Sequence, residues 1–216
     1  MTRIVLHNYF RSSTSTRLRA ALNLKGLPFD YVAHHLRKGE HRGASYLAIN
    51  PQGLVPSLVL EDGTVLTQSL AIIEYLEEVH PTPPLLPASA VERARVRALA
   101  HAIALDIHPV NNLRILNYLK SAFGASDEAV TEWFGHWVAE TFKPLEDMLA
   151  ADPRTGRFCH GDTPGLADIC LYAQVLNNRR FGVDMSPYPT IARIFEACAA
   201  VPALAAAAPD RQPDSE

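Results

Sequence analysis

Four prolines fall within His80–Pro87, and the chain reads differently on either side of them. Proline has no backbone N–H and a fixed φ, so this stretch cannot continue a helix and reads as a stiff linker. Upstream of it, strand and helix patterns alternate. Downstream, every apolar pattern is helical. A fold compatible with this chain therefore joins a mixed module to an all-helical one.

The upstream order is β-α-β-α-β-β-α. Arg3–Asn8 reads as a strand, carried by Ile4-Val5-Leu6. Ser15–Lys25 reads as a helix, with Leu18, Ala21 and Leu22 on one face and Gly26 as its stop. Phe29–His34 reads as a second strand, followed by the polar stretch Arg37–Arg42 and a short helix ending near Ile49. Ser57–Leu60 and Val65–Thr67 read as strands joined at Asp62-Gly63, a strong hairpin signal. A helix follows from Ser69 to Val79. This is the order of a thioredoxin-like α/β domain, a small mixed sheet with helices on its faces. Downstream, helices are expected at about 91–122, 127–150, 166–180 and 188–200, and Pro209–Glu216 reads as a polar surface tail. The expected division is a thioredoxin-like domain at 1–81, a linker at 82–88 and an all-α domain at 89–216.

Composition narrows the partners. The 216 residues are 48% hydrophobic and 20% charged with a formal net charge of -3, an ordinary globular balance. Without a basic excess, nucleic acid and anionic membrane are poor general partners, so an anionic ligand needs local arginines. Cys159, Cys170 and Cys198 form no CxxC and no ligand spacing with His, which argues against a disulfide framework or a metal site. Met1-Thr2-Arg3 leads straight into the first strand with no signal peptide or long apolar span, so a reducing cytoplasm is the expected compartment.

Ser12-Ser13-Thr14-Ser15-Thr16 places five hydroxyls between the first strand and the first helix, with Arg11 before them and Arg17 and Arg19 after. Free N–H groups, hydroxyl donors and the positive end of a helix dipole converge there on an anion. A redox-active thioredoxin-like module carries CxxC at this point. The hydroxyls stand in its place, so a thiol used here comes from a ligand.

Four motifs resemble the zeta class of the glutathione transferase family. Tyr9-Phe10-Arg11-Ser12-Ser13-Thr14-Ser15 looks like its active-site signature, in which the position of Thr14 is often Cys. Asn50-Pro51-Gln52-Gly53-Leu54-Val55-Pro56-Ser57-Leu58 looks like its cis-proline loop. Gln68-Ser69-Leu70-Ala71-Ile72-Ile73-Glu74-Tyr75-Leu76 looks like its γ-glutamyl-binding turn and helix. Gly161-Asp162-Thr163-Pro164-Gly165-Leu166-Ala167-Asp168 looks like the capping motif of its second domain, except that Gly165 stands where a Ser or Thr cap is usual. That exchange costs the helix about 0.5 kcal/mol. The stretches Asp106–Arg114 and Arg179-Arg180-Phe181 resemble the branch that acts on maleylpyruvate, with the maleylacetoacetate branch its near neighbour.

The resemblance implies the glutathione transferase fold, glutathione as cofactor, a homodimer and a set of site residues. Ser12 is the hydroxyl nearest the glutathione sulfur, with Ser13 and Thr14 beside it; Thr14 donates a hydrogen bond but is no nucleophile. A thiol with an ordinary pKa near 8.5 is mostly neutral at pH 7, so hydroxyl donation and helix dipoles are needed to favour thiolate. Val55, before a cis Pro56, pairs with the cysteinyl backbone. Gln68 and Ser69 hold the γ-glutamyl carboxylate and His41 the glycyl end. His108, Asn112 and Arg114, read on one helix, reach the cofactor cleft. Arg11, Arg114 and Arg180 clamp a dicarboxylate, which suits bidentate guanidinium pairing; sequence spacing alone does not separate Arg179 from Arg180.

The expected reaction is glutathione-dependent cis–trans isomerisation of maleylpyruvate to fumarylpyruvate. Reversible thiolate addition turns the double bond into a rotatable single bond and then restores it. The alternatives are the maleylacetoacetate reaction, a zeta-type transferase acting on α-halo acids, and a non-catalytic glutathione-binding protein.

Overall fold

In the computed structural model, which describes residues 4–216, the first half holds a four-stranded mixed sheet in the order β2-β1-β3-β4. Strand β1 (Ile4–Asn8) runs parallel to β2 (Phe29–Ala33), with Leu6 opposite Tyr31, and antiparallel to β3 (Ser57–Val59), with Leu6 opposite Leu58. Strand β4 (Val65–Thr67) closes the edge through the expected hairpin at Asp62-Gly63. Gly63 has φ +86°, which the turn requires and a side chain resists. Arg3, read as the start of β1, lies outside the described residues.

Helix α1 (Ser13–Leu24) connects the two parallel strands and starts two residues earlier than its apolar pattern suggests. The cause is Ser12, whose side chain accepts from the Ser15 N–H and caps the helix, drawing the hydroxyl run into its first turn. The short helix α2 (Ala44–Leu47) precedes the loop to β3, and α3 (Ser69–Val79) packs against α1. Lys25, just past α1, buries its ammonium on Glu77 of α3 at 2.8 Å and on the carbonyls of His80 and Pro83. Glu77 in turn accepts the Leu85 N–H. These bonds tie the proline stretch to the sheet-containing unit as far as Leu85.

The second unit spans Leu86–Ala200. It contains α4 (Ala90–His101), α5 (Leu113–Phe123), α6 (Asp127–Ala151), α7 (Leu166–Arg180) and α8 (Pro189–Ala199). Helix α7 is buried nearly all round, as a central helix must be. Its buried Asp168 accepts the N–H groups of Cys159 at 2.8 Å and Gly165 at 2.9 Å, so an acidic side chain secures the start that Gly165 cannot cap. The single helix expected at 91–122 is two helices. Helix α4 widens into a π-helical segment at Ala102–Ile107, the chain turns at 108–112, and α5 begins afresh. Pro109 removes an N–H from the ladder, and Asn112 supplies a new cap.

The end of the chain departs most from expectation. Residues Val201–Glu216 group with the sheet-containing unit, not with the helical one that precedes them. The short α9 (Pro202–Ala205) packs on α1, where Leu204 and Ala207 are fully buried. The alanines near the C-terminus are small enough to let their backbone approach α1, where Asn23 and Arg19 bind the carbonyls of Ala203 and Ala207. No helix among the described residues is long and apolar enough to cross a membrane.

Candidate active site

Strand β1 ends in a tight turn closed by the Ser12 N–H on the Tyr9 carbonyl at 3.1 Å. Beyond it the hydroxyls form a chain. Ser12 Oγ lies 2.7 Å from Thr14 Oγ1, and Thr14 Oγ1 donates to the Val55 carbonyl at 2.8 Å. A hydroxyl carries one proton, so with Thr14's proton on Val55 the shared proton belongs to Ser12. Ser12 Oγ meanwhile accepts the Ser15 N–H at 3.2 Å. Both hydroxyls are half-buried, whereas Ser13 is buried in the first turn.

The peptide bond between Val55 and Pro56 is cis, as the loop motif implies; a second cis bond, Thr82-Pro83, was not anticipated. The loop before Val55 is held by Tyr46 and Asn50. Both donate to the Leu54 carbonyl, at 2.6 and 2.8 Å, and both reach Ser57 Oγ. At the start of α3, Gln68 has φ 68°, a left-handed conformation that costs a non-glycine residue about 1–3 kcal/mol and collects at functional sites. No side chain caps this helix start. Ser69 is buried there, and Gln68 donates to Gln52 Oε1 at 3.1 Å.

His41 is half-buried, and its Nδ1 is sealed from solvent with no hydrogen-bond partner among the described residues. Burial, then Arg42 and His34, keep its pKa below the ordinary value. His7 and His34 share a hydrogen bond of 2.8 Å and stack at 5.1 Å, and Tyr46 lies against His34 at 4.2 Å. Burial is the main reason that His7 and His34 also titrate low.

The arginines divide into two kinds. Arg11 is half-buried with its guanidinium 4.8 Å from the Phe10 ring centre. Arg17 and Arg19, the sequence neighbours of the hydroxyls, are buried in the interior. Arg19 donates to Asn8 Oδ1, the carbonyls of Tyr9, Phe10 and Ala207, and Thr16 Oγ1. Burial pushes its pKa down to about 10, with Tyr31 and Asp214 opposing the shift, so it is a cation at neutral pH. Sequence analysis missed this role; the local hint was Arg19 standing between the apolar residues Leu18 and Ala20.

In the helical unit, Arg114 is exposed in the first turn of α5 and Arg180 is exposed at the end of α7. Arg180 donates to Asn177 Oδ1 at 2.9 Å and lies over Phe181, while Arg179 is held by Glu196 at 2.7 Å and by the Phe195 ring. His108 sits at the corner after the π-helical segment, so helical spacing does not relate it to Arg114. Asn112 caps the start of α5. Its Oδ1 accepts the N–H groups of Arg114 and Ile115, and its Nδ2 donates to the Pro109 carbonyl.

The features of the sheet-containing unit fit a bound thiol peptide. They are a hydroxyl pair at one helix start, a helix start at α3 without a side-chain cap bond from its N-cap residue, and a cis peptide bond at Val55-Pro56. Comparison with known proteins agrees. The family model "Glutathione S-transferase, N-terminal domain" matches residues 11–79. The chain is 54% identical over 211 residues to the maleylpyruvate isomerase of a Ralstonia species, covering 97% of this chain and 99% of that one. It superposes on the holo structure of a zeta-class maleylpyruvate isomerase with a TM-score of 0.96 and 52% identity, covering 98% of this chain and all of the other. A maleylacetoacetate isomerase from Methylobacterium extorquens, solved with malonate and glutathione, gives 0.95 at 41% identity over 98% of this chain and 99% of that one. On likenesses of this length and level, the chain belongs to the zeta class of the glutathione S-transferases.

Proposed function

We propose that this protein is a glutathione-dependent cis–trans isomerase that converts maleylpyruvate to fumarylpyruvate. The observation that carries the reading is the Ser12–Thr14 hydroxyl pair at the start of α1, where this chain has no thiol of its own. The bound tripeptide supplies a thiolate that adds reversibly to the maleyl double bond and so permits rotation.

Ser12 swings its O–H from Thr14 toward the sulfur and, with the N–H groups of the first turn of α1, favours the charged form. Thr14 stays on the Val55 carbonyl. The Val55 backbone beside Pro56 faces the cysteinyl peptide. The uncapped start of α3, with Gln68 and Ser69, takes the γ-glutamyl carboxylate. His41 takes the glycyl end. Arg11, Arg114 and Arg180 supply the cations for the two substrate carboxylates and the charge that develops between them. Of the pair Arg179 and Arg180, the resemblance favours Arg180, which is the one assigned to substrate. His108 and Asn112 are assigned with Arg114 to glutathione, and Asn112 also accepts the Arg114 N–H.

A cytoplasmic setting suits the three free, buried cysteines. A homodimer is carried over from the family and is checked by sedimentation.

Incubation with maleylpyruvate, followed by ultraviolet absorbance, is expected to show isomerisation only when glutathione is present. Equal rates with and without it would end the proposal. A higher kcat/KM for maleylacetoacetate would move the substrate to that near neighbour. Retention on glutathione resin without isomerisation of either acid would leave a binding protein.

A further inference from the structure

We propose that Asp214, at the far end of the chain, is a positioning residue that sets the turn presenting Ser12. The inference rests on Ser12 being the thiolate's hydroxyl donor, as proposed above, and adds a part of the chain to that site.

Asp214 uses both carboxylate oxygens. Oδ2 accepts the Phe10 N–H at 3.2 Å, and Oδ1 accepts the Tyr31 hydroxyl. Phe10 lies inside the turn that the Ser12 N–H closes on Tyr9. The Phe10 carbonyl is bound at 3.0 Å by Arg19, which also binds the Tyr9 carbonyl at 3.3 Å. Arg19 is anchored in turn on the Ala207 carbonyl, at 2.9 Å from Nη2 and 3.2 Å from Nε. The peptide groups of Phe10 are thus gripped on the N–H side by Asp214 and on the C=O side by Arg19, and both grips depend on residues 207–214. Tyr31 comes from β2, so the carboxylate also references the turn to the sheet.

A simple staple for the tail is the competing explanation. The tail has other anchors that do not touch the turn. Asn23 holds the Ala203 carbonyl, His35 holds Glu216, and Leu204 is fully buried. Asp214 bonds directly to the backbone of the turn. Its loss releases Phe10 while the segment stays docked. Because misplacement by about 1 Å near a reacting group costs on the order of 100-fold in rate, this is a contact to which catalysis is sensitive.

The test compares Asp214→Ala, Asp214→Asn and the tail control Glu216→Gln. The main readout is the ultraviolet absorbance of bound glutathione thiolate against pH, with kcat, KM for glutathione and melting temperature alongside. In Asp214→Ala the bound thiol's pKa is expected to rise by about one unit and kcat to fall about tenfold, with KM for glutathione within about twofold. Asp214→Asn keeps an acceptor for the Phe10 N–H and is expected to recover most of both losses. Glu216→Gln is expected to match the parent. A lower melting temperature with unchanged thiol pKa and kcat in Asp214→Ala would make Asp214 a staple and overturn the proposal. So would an Asn variant as impaired as Ala. Should the alanine variant fail to fold, the asparagine variant and Tyr31→Phe carry the same readouts. A parent protein that forms no thiolate on binding glutathione would instead overturn the function proposed above, and this proposal with it.

Discussion

The Thr14 hydroxyl donates to the Val55 carbonyl at 2.8 Å, and this single bond decides the direction of the hydroxyl chain at the active-site turn. With its own proton committed, Thr14 is an acceptor toward Ser12 at 2.7 Å. The helix-capping residue and the loop before Pro56 are thereby joined through one side chain. Ser12 is left with a proton that it can redirect to sulfur at the cost of one neutral hydrogen bond, about 1 kcal/mol.

Ser12→Ala is expected to lower kcat/KM for isomerisation about 10²-fold, the usual loss when one charge-stabilising donor is removed. The same change removes the cap of α1 and is expected to cost about 1 kcal/mol in urea unfolding. Thr14→Val keeps the shape but breaks the chain, and its expected loss is smaller, about tenfold. Steady-state kinetics on both variants check the ranking; a Thr14 variant more damaged than the Ser12 variant would reverse the assigned roles.

Thiol-directed alkylation is expected to leave the parent enzyme active. Its three cysteines are buried, and burial raises the thiol pKa of Cys159 and Cys198. Thr14→Cys is expected to keep activity and gain inactivation by iodoacetamide, with bound glutathione protecting. Residual activity against time of exposure measures this. A parent enzyme inactivated as fast as the cysteine variant would contradict it.

Arg180→Ala is expected to raise KM for maleylpyruvate about tenfold or more and to leave the Kd of glutathione within twofold. Arg179→Ala loses its stacking on Phe195 and an exposed pair with Glu196, where such pairs contribute about 0–1 kcal/mol, and its kinetics are expected to match the parent. Calorimetric titration with glutathione, beside initial rates, separates the two. A large loss of glutathione affinity in the Arg180 variant would place that residue elsewhere.

Stability is expected to fall as pH drops below 6.5. Burial holds the pKa of His7 and His34 below that ordinary value, and their mutual proximity lowers His7 further, while Glu40 raises His34 in part. Between the lowered values and 6.5 the unfolded chain binds protons that the folded one does not, so acid favours unfolding; above 6.5 this contribution is flat. Melting temperature against pH is expected to slope less steeply in His34→Gln. Parallel curves from pH 5 to 7 would remove these histidines from the acid sensitivity.

Glu77→Ala leaves the buried Lys25 ammonium without its carboxylate and the Leu85 N–H without its acceptor. The expected loss is about 3–5 kcal/mol, read as a lower urea midpoint at unchanged slope. A loss below 1 kcal/mol would show that the carbonyls of His80 and Pro83 hold Lys25 adequately alone.

Most of the fold was legible because its signals are local. The Asp62-Gly63 turn, the period-2 strands and the Gly26 stop act within a few residues, and the elements they mark lie where expected. The same holds for the hydroxyls, since an N-cap is a contact between near neighbours. The helix break at 108–112 was misread because the π-helical segment before it keeps an apolar pattern close to that of an α-helix.

The sequence by itself determined the order of strands and helices, the hydroxyl start of α1 and the kinship with the zeta class, because each rests on side chains acting on their own stretch of backbone. Only the tertiary structure decided what Arg19, Tyr31 and Asp214 do. A buried guanidinium must find several acceptors at once. For Arg19 those acceptors come from the active-site turn and from Ala207, nearly the whole chain apart. No local pattern encodes that meeting, and it turned an apparent surface tail into part of the frame around Ser12.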